Sequence, residues 1–167
     1  MNKDVVKACL EKQLPIDEGV VLHVYQDSKG IGTVGIGRNL RDKGLSAEEC
    51  NHLNMPYLTG EALIDALTKR AITLAEAFYL LDNDIEEVLQ EVEKNISWMQ
   101  SQPDVVWCVV SNMTFNIGIY GVLKFKNTLS FIEQGEYEKA SVEMLNSKWH
   151  TDVGARAERL SNLLKTA

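Results

Sequence analysis

The stretch Tyr25–Leu40, YQDSKGIGTVGIGRNL, constrains the fold of this 167-residue chain more than any other part of it. It contains Gly30-x-Gly32-x-x-Gly35, the literal spacing of a dinucleotide-binding loop. Such a loop needs a strand before it, a helix directly after it and an acid about 20 residues further on. Here Gly35 runs into IGRNLRDKG, which cannot open a good helix, and no βαβ alternation follows. The phosphate-loop reading therefore fails on context. The glycines suit a twisted hairpin, where they permit bulges, tight turns or close backbone approach. VVLHVY is β-prone, QDSKG is a turn, IGTVGIG is a second strand and RNLRDKG ends in another turn. The stretch predicts a small antiparallel sheet of short strands.

The remainder reads as helix. Residues 3–14 place Val6, Leu10 and Leu14 on one face, with Pro15 expected to break the helix. Thr73-Leu-Ala-Glu76 is a capping box. It opens a long helix whose stripe is Leu74, Ala77, Phe78, Leu81, Ile85, Val88, Leu89 and Val92. Most of the acids opposite, Glu76, Asp84, Glu87 and Glu91, read as a solvated face. Residues 103–118 are apolar nearly all round, with Pro at the start and Gly at the end, and predict a buried central helix. Two more helices follow, one carrying Tyr137, Ala140, Ser141, Met144 and Leu145, the other pointing Leu160, Leu163 and Leu164 inward. The fold class is α+β within a single domain, 1–167. Its β lobe covers about 16–60, a connecting helix 73–94, and a helical lobe 95–167 plus the N-terminal helix 3–14. A cleft is expected where the lobes meet.

Composition narrows the function. The chain is 45 % apolar and 25 % charged, ordinary for a globular protein. A formal charge of −7 makes it a poor ligand for nucleic acid or an anionic membrane. No stretch is read as membrane-inserting, and the N-terminus lacks the pattern of a secretory leader. Cys9, Cys50 and Cys108 are odd in number and show no CxxC spacing, so neither zinc nor a disulfide framework is expected. No metal or cofactor is predicted. The chain reads as made and folded in the cytoplasm.

Glu18, Asp27 and Thr33 surround the glycine-rich sheet. Singly, each has an ordinary role: a loop acid, a turn residue, a β-former. Together they offer two carboxylates and a hydroxyl, the equipment for cleaving a glycosidic bond with a positioned water. Their spacing, Glu-x8-Asp-x5-Thr, lies within IDEGVVLHVYQDSKGIGTVGIG and resembles the signature of the phage-type lysozymes, glycoside hydrolase family 24. Two further blocks, SNMTFNIGIYGVLKFKNTL and SKWHTDVGARAERL, are similar to the family in the same order; 41–72 is the weakest part.

The resemblance implies a muramidase with Glu18 as proton donor, Asp27 as the second carboxylate and Thr33 as a water-holding hydroxyl, acting with inversion. It implies substrate contacts at Phe115 (equally readable as a core residue), at Thr128, where the family has Ser, at Asn39, where an apolar residue is common, and at Glu143, where Asn is common. Arg156 falls on an arginine that pairs with the catalytic Glu. The family reads Gly-Ile-Gly-His where this chain has Arg38, and that His pairs with an Asp matched by Asp84; an Arg38–Asp84 bridge follows. Lys124, Lys126, Lys148, Arg156 and Arg159 are candidates for locally positive charge in an acidic chain. The implied substrate is bacterial peptidoglycan and the implied state a monomer. The implied setting is a phage endolysin, made in the host cytoplasm and acting on the wall in the periplasm with a holin-type partner. A toxin or effector muramidase with an immunity partner, and a catalytically silent wall-binding module, are the alternatives.

Overall fold

The computed structural model describes all residues except 27–29. It is mostly helical with one small antiparallel sheet, the α+β lysozyme-like architecture expected. The chain divides into two compact units, Glu11–Asp84 and Met1–Leu10 with Ile85–Ala167.

The first unit carries the sheet. Helix α1 spans Lys3–Glu18 and enters this unit after Leu10. Pro15 lies inside it and does not break it, contrary to expectation. Proline removes one N–H and crowds the preceding turn, but its own carbonyl still accepts, here from Gly19 N–H at 3.0 Å. Gly19, at φ +77°, ends the helix instead. Strands β1 (Val21–Gln26), β2 (Gly32–Gly35) and β3 (Arg38–Asn39) follow in the order β1-β2-β3. Tyr25 pairs with Thr33, and Thr33 with Asn39. Gly35 combines φ +68° with a close approach, since a Cβ there would sit 3.4 Å from Ile72 Cδ1. Segment 41–72 supplies two helices, α2 (Ala47–His52) and α3 (Gly60–Lys69). Leu40, Leu45, Leu53, Leu63, Leu67 and Leu80 bury together with Val34 of the sheet.

Helix α4 (Leu74–Asn95) begins at the expected capping box: Thr73 Oγ1 accepts from Glu76 N–H at 3.1 Å, and Glu76 Oε2 accepts from Thr73 N–H at 2.7 Å. Its stripe departs from the pattern at Leu74, which is 53 % exposed, while Leu80 is buried. The acidic face is also corrected. Glu76 and Asp84 are buried, because Arg70 and Arg38 reach them from outside the helix; Glu87 and Glu91 remain exposed.

The second unit is helical. Its central helix α5 (Asp104–Val122) is long and apolar enough to cross a membrane, but buried Ser111 and Asn112 mark it as a core helix. Gly118, at φ 69° and ψ 161°, kinks it. Helices α6 (Lys126–Glu133), α7 (Tyr137–Leu145), α8 (Lys148–Val153) and α9 (Ala155–Leu164) pack in sequence, α7 against both α6 and α9. Leu160 and Leu164 are buried as expected, whereas Leu163 is only half-buried. Cys9 and Cys108 form a disulfide, which overturns the reading of three free thiols; only Cys50 is free. The two lie 99 residues apart, so no local spacing announces the pair.

Candidate active site

In the sheet-bearing unit, α1 ends by presenting Glu18. Gly37 lies in the turn between β2 and β3 at φ +74°, and a Cβ added there would be 3.3 Å from both Cγ and Oε2 of Glu18. The half-buried carboxyl is thus seated against bare backbone, a position that only glycine leaves open. Thr33 is buried on β2, and its Oγ1 donates to Ile31 O at 3.1 Å. That bond uses the hydroxyl's hydrogen and leaves its oxygen as an acceptor. Asn39, paired with Thr33 across the sheet, is engaged in the next turn: Oδ1 accepts from Arg41 and Asp42 N–H, both at 2.9 Å, and Nδ2 donates to Asp42 at 2.8 Å. Asp27 lies outside the described residues.

Arg38, one residue beyond Gly37, is buried and holds more than the expected partner. Nε donates to Asp84 Oδ2 at 2.9 Å, and Nη2 lies 2.9 Å from Oδ1. Nη1 and Nη2 also bond both oxygens of Glu49, at 3.0 and 2.8 Å, and the carbonyls of Gly44 and Leu80. Lys43 pairs with Asp84 as well. Burial opposes both charged forms, lowering Arg38 and raising Glu49. The hydrogen bonds from Arg38, Asn83 and Ser46 N–H outweigh it at Glu49 and hold that carboxyl at about 2, while the two acids keep Arg38 above its ordinary value. The sequence reading missed Glu49. Its signal was present: Ser46-x-x-Glu49 is a second capping box and closes in both directions.

In the helical unit, Thr128 and Glu143 meet at one cavity of about 610 Å³ walled by the end of α5, α6, α7 and the start of α8. Glu143 Oε1 accepts from Asn127 at 2.9 Å. Lys124, Lys126 and Lys148 line the same cavity, so three of the five proposed cations gather there; Lys148 also pairs with Asp152 at 2.7 Å. Trp149 closes one side, with its indole N–H on Asn116 Oδ1 at 2.7 Å and Phe125 edge-on at 5.8 Å. Phe115 is half-buried on α5 and does not line this cavity. Arg156 is buried, with Nε on Asn112 Oδ1 at 2.9 Å and Nη2 on Asn112 O at 3.1 Å. Among the described residues no group of His, Cys, Asp and Glu is placed to hold a metal.

Residues 16–165 match the phage lysozyme family, and the chain belongs to that family. It thereby falls among the lysozymes, hydrolases that degrade peptidoglycan. It is 27 % identical over 161 residues to "Probable T4-type lysozyme 1" of Dictyostelium discoideum, covering 94 % of each chain. "Probable T4-type lysozyme 2" of the same organism is 27 % identical over 160 residues. The "Pre-baseplate central spike protein Gp5" of Enterobacteria phage T4 is 26 % identical over 165 residues, which cover 94 % of this chain and 28 % of the spike protein.

Proposed function

We propose that the chain is a muramidase that hydrolyses the β-1,4 bond between N-acetylmuramic acid and N-acetylglucosamine. The observation that carries this is the seat of Glu18: a carboxyl fixed at a helix end against Gly37, in the same unit as the acceptor oxygen of Thr33. Glu18 protonates the leaving oxygen. Asp27 draws a proton from water on the opposite face of the sugar, and Thr33 holds that water. The water attacks C1 as the glycosidic bond breaks, so the anomeric centre inverts. The Glu18→Gln protein should fold yet lose lytic activity by roughly 10²–10⁴-fold, the size of a general-acid contribution. Clearing of permeabilised Gram-negative cells at the parent rate would refute the assignment. NMR of the first-formed sugar should show the α-anomer; a β-anomer would exclude inversion.

The setting we assign is phage lysis of a bacterial host, with a membrane-permeabilising partner and action on the periplasmic wall. The Cys9–Cys108 disulfide favours an oxidising place of action. Expression with and without such a partner tests it: lysis that needs no partner counts against this setting.

A further inference from the structure

The three tryptophans are used differently. Trp107 is buried and donates its indole N–H to Met99 O at 2.8 Å; Trp149 is nearly buried and donates to Asn116. Trp98 is only half-buried, and among the described residues its N–H has no partner. It lines a second cavity of about 280 Å³, between the 3-10 turn Ser97–Ser101 and helix α6. Buried Ile96 and half-buried Leu129 give this groove an apolar floor, and exposed Asn95, Ser130 and Glu133 give it a polar rim. Lys126 is common to this groove and to the larger cavity that holds Thr128 and Glu143.

We propose that the Trp98 groove is a second saccharide-binding site, taking the glycan strand of peptidoglycan where it continues past the Thr128–Glu143 cavity; this rests on the muramidase reading. Three features select that occupant. A pyranose ring presents C–H groups to the negative face of an indole and hydroxyls to the groups around it, matching an aromatic wall with a polar rim. An indole N–H without a protein partner can donate to a sugar hydroxyl or amide carbonyl. The wall shared by the two cavities carries a cation, Lys126, on a chain of net charge −7, where the acidic stem peptides of the polymer would pass.

The test separates binding from chemistry by working in the Glu18→Gln protein with purified, insoluble sacculi. Adding Trp98→Ala should weaken co-sedimentation about tenfold, the size of one aromatic contact, and Trp98→Phe should restore most of it. Lys126→Glu, a change at an exposed side chain that leaves the core intact, should weaken it similarly. Affinity for a single disaccharide-peptide, which fills one cavity only, should move less than about twofold with Trp98→Ala. Sacculus binding unchanged by Trp98→Ala and Lys126→Glu overturns the proposal, as does an equal loss for polymer and fragment. Whether the parent enzyme releases reducing ends from the same sacculi is a separate measurement, and its failure would strike the muramidase reading instead.

Discussion

Gly37 and Gly135 share a backbone conformation, φ +74° in both, but not their surroundings. A methyl on Gly37 meets Glu18 at 3.3 Å, whereas one on Gly135 meets nothing within 4 Å. Alanine at either position costs about 1–2 kcal/mol for the left-handed backbone. Only Gly37→Ala should also press on the Glu18 carboxyl, which must give by a few tenths of an ångström. Since a misplacement of about 1 Å can cost on the order of 10²-fold in rate, a several-fold loss is expected if Glu18 is the proposed acid. Equal specific activity in the two variants would show that Gly37 does not position Glu18. Arg38 belongs to the same scale. It is 2 % exposed and bonded to two acids, so it falls outside the regime of exposed pairs that contribute about 0–1 kcal/mol. Arg38→Gln takes the guanidinium from two buried carboxylates, leaving Asp84 to Lys43 and Glu49 to Asn83 and Ser46 N–H. It should cost roughly 3 kcal/mol, the low end for breaking a buried pair. The pH dependence runs through Glu49, whose folded value of about 2 lies below its ordinary 4.5. A depressed carboxyl contributes stability that is complete above the unfolded value and fades as pH falls through the folded one. Stability should therefore decline between about pH 4.5 and 2, by on the order of 3 kcal/mol from this group. Urea unfolding of the parent and Glu49→Gln across that range checks it: the variant's profile should be flatter in acid, and parallel profiles would remove Glu49 as the cause.

Glu49 also connects this cluster to a whole element. It accepts from Ser46 N–H at 2.8 Å while its own N–H bonds Ser46 Oγ at 3.1 Å, so the cap of α2 and the grip on Arg38 share one side chain. Ser46→Ala should lose about 1 kcal/mol as a lost cap. It should couple to Arg38→Gln by more than about 0.5 kcal/mol in a double-mutant cycle; strict additivity would show the two roles to be independent. This cap also shows where sequence reading stops. Thr73 and Glu76 were legible because a 22-residue amphipathic helix follows them. Ser46 and Glu49 have the same spacing, but α2 is six residues long, too short for a hydrophobic period to declare itself. The sheet was legible from its glycines and turns, whereas Glu18 and Thr33 became candidates through the family signature that their spacing resembles. The pairing of Arg38 with Asp84 was anticipated, but not the burial of Asp84 or of Glu76, since periodicity sees one helix and not the arginine that reaches it. Pro15 misled for a related reason: a local breaker signal is a cost, and the surrounding turns of α1 outweigh it.

At the scale of the whole molecule, the helical unit is built from two pieces of chain, Met1–Leu10 and Ile85–Ala167, with the sheet-bearing unit inserted between them in sequence. The short piece is held by buried Val6 and Leu10, by Asn2 N–H on Asp104 at 2.7 Å, and by Lys3 and Lys7 on Glu86 at 2.5 and 3.0 Å. The Cys9–Cys108 bond joins the two pieces covalently and closes a loop that contains the entire inserted unit. In the chain-entropy account, closing a loop of about 100 residues removes roughly 4–5 kcal/mol of unfolded-state freedom. For a protein of this size, each kcal/mol moves the melting temperature about 2–4 °C, so reduction should lower Tm by roughly 8–20 °C. Thiol titration of the unfolded protein comes first: the oxidised form should show one free thiol, Cys50, and the fully reduced form three. Cys9→Ser, at a half-buried position, should melt like the reduced parent and ignore added reductant. A parent whose Tm is indifferent to reductant, with one titratable thiol before and three after, would mean that the folded unit holds its N-terminal piece without the bond. The entropic account of its stability would then be wrong.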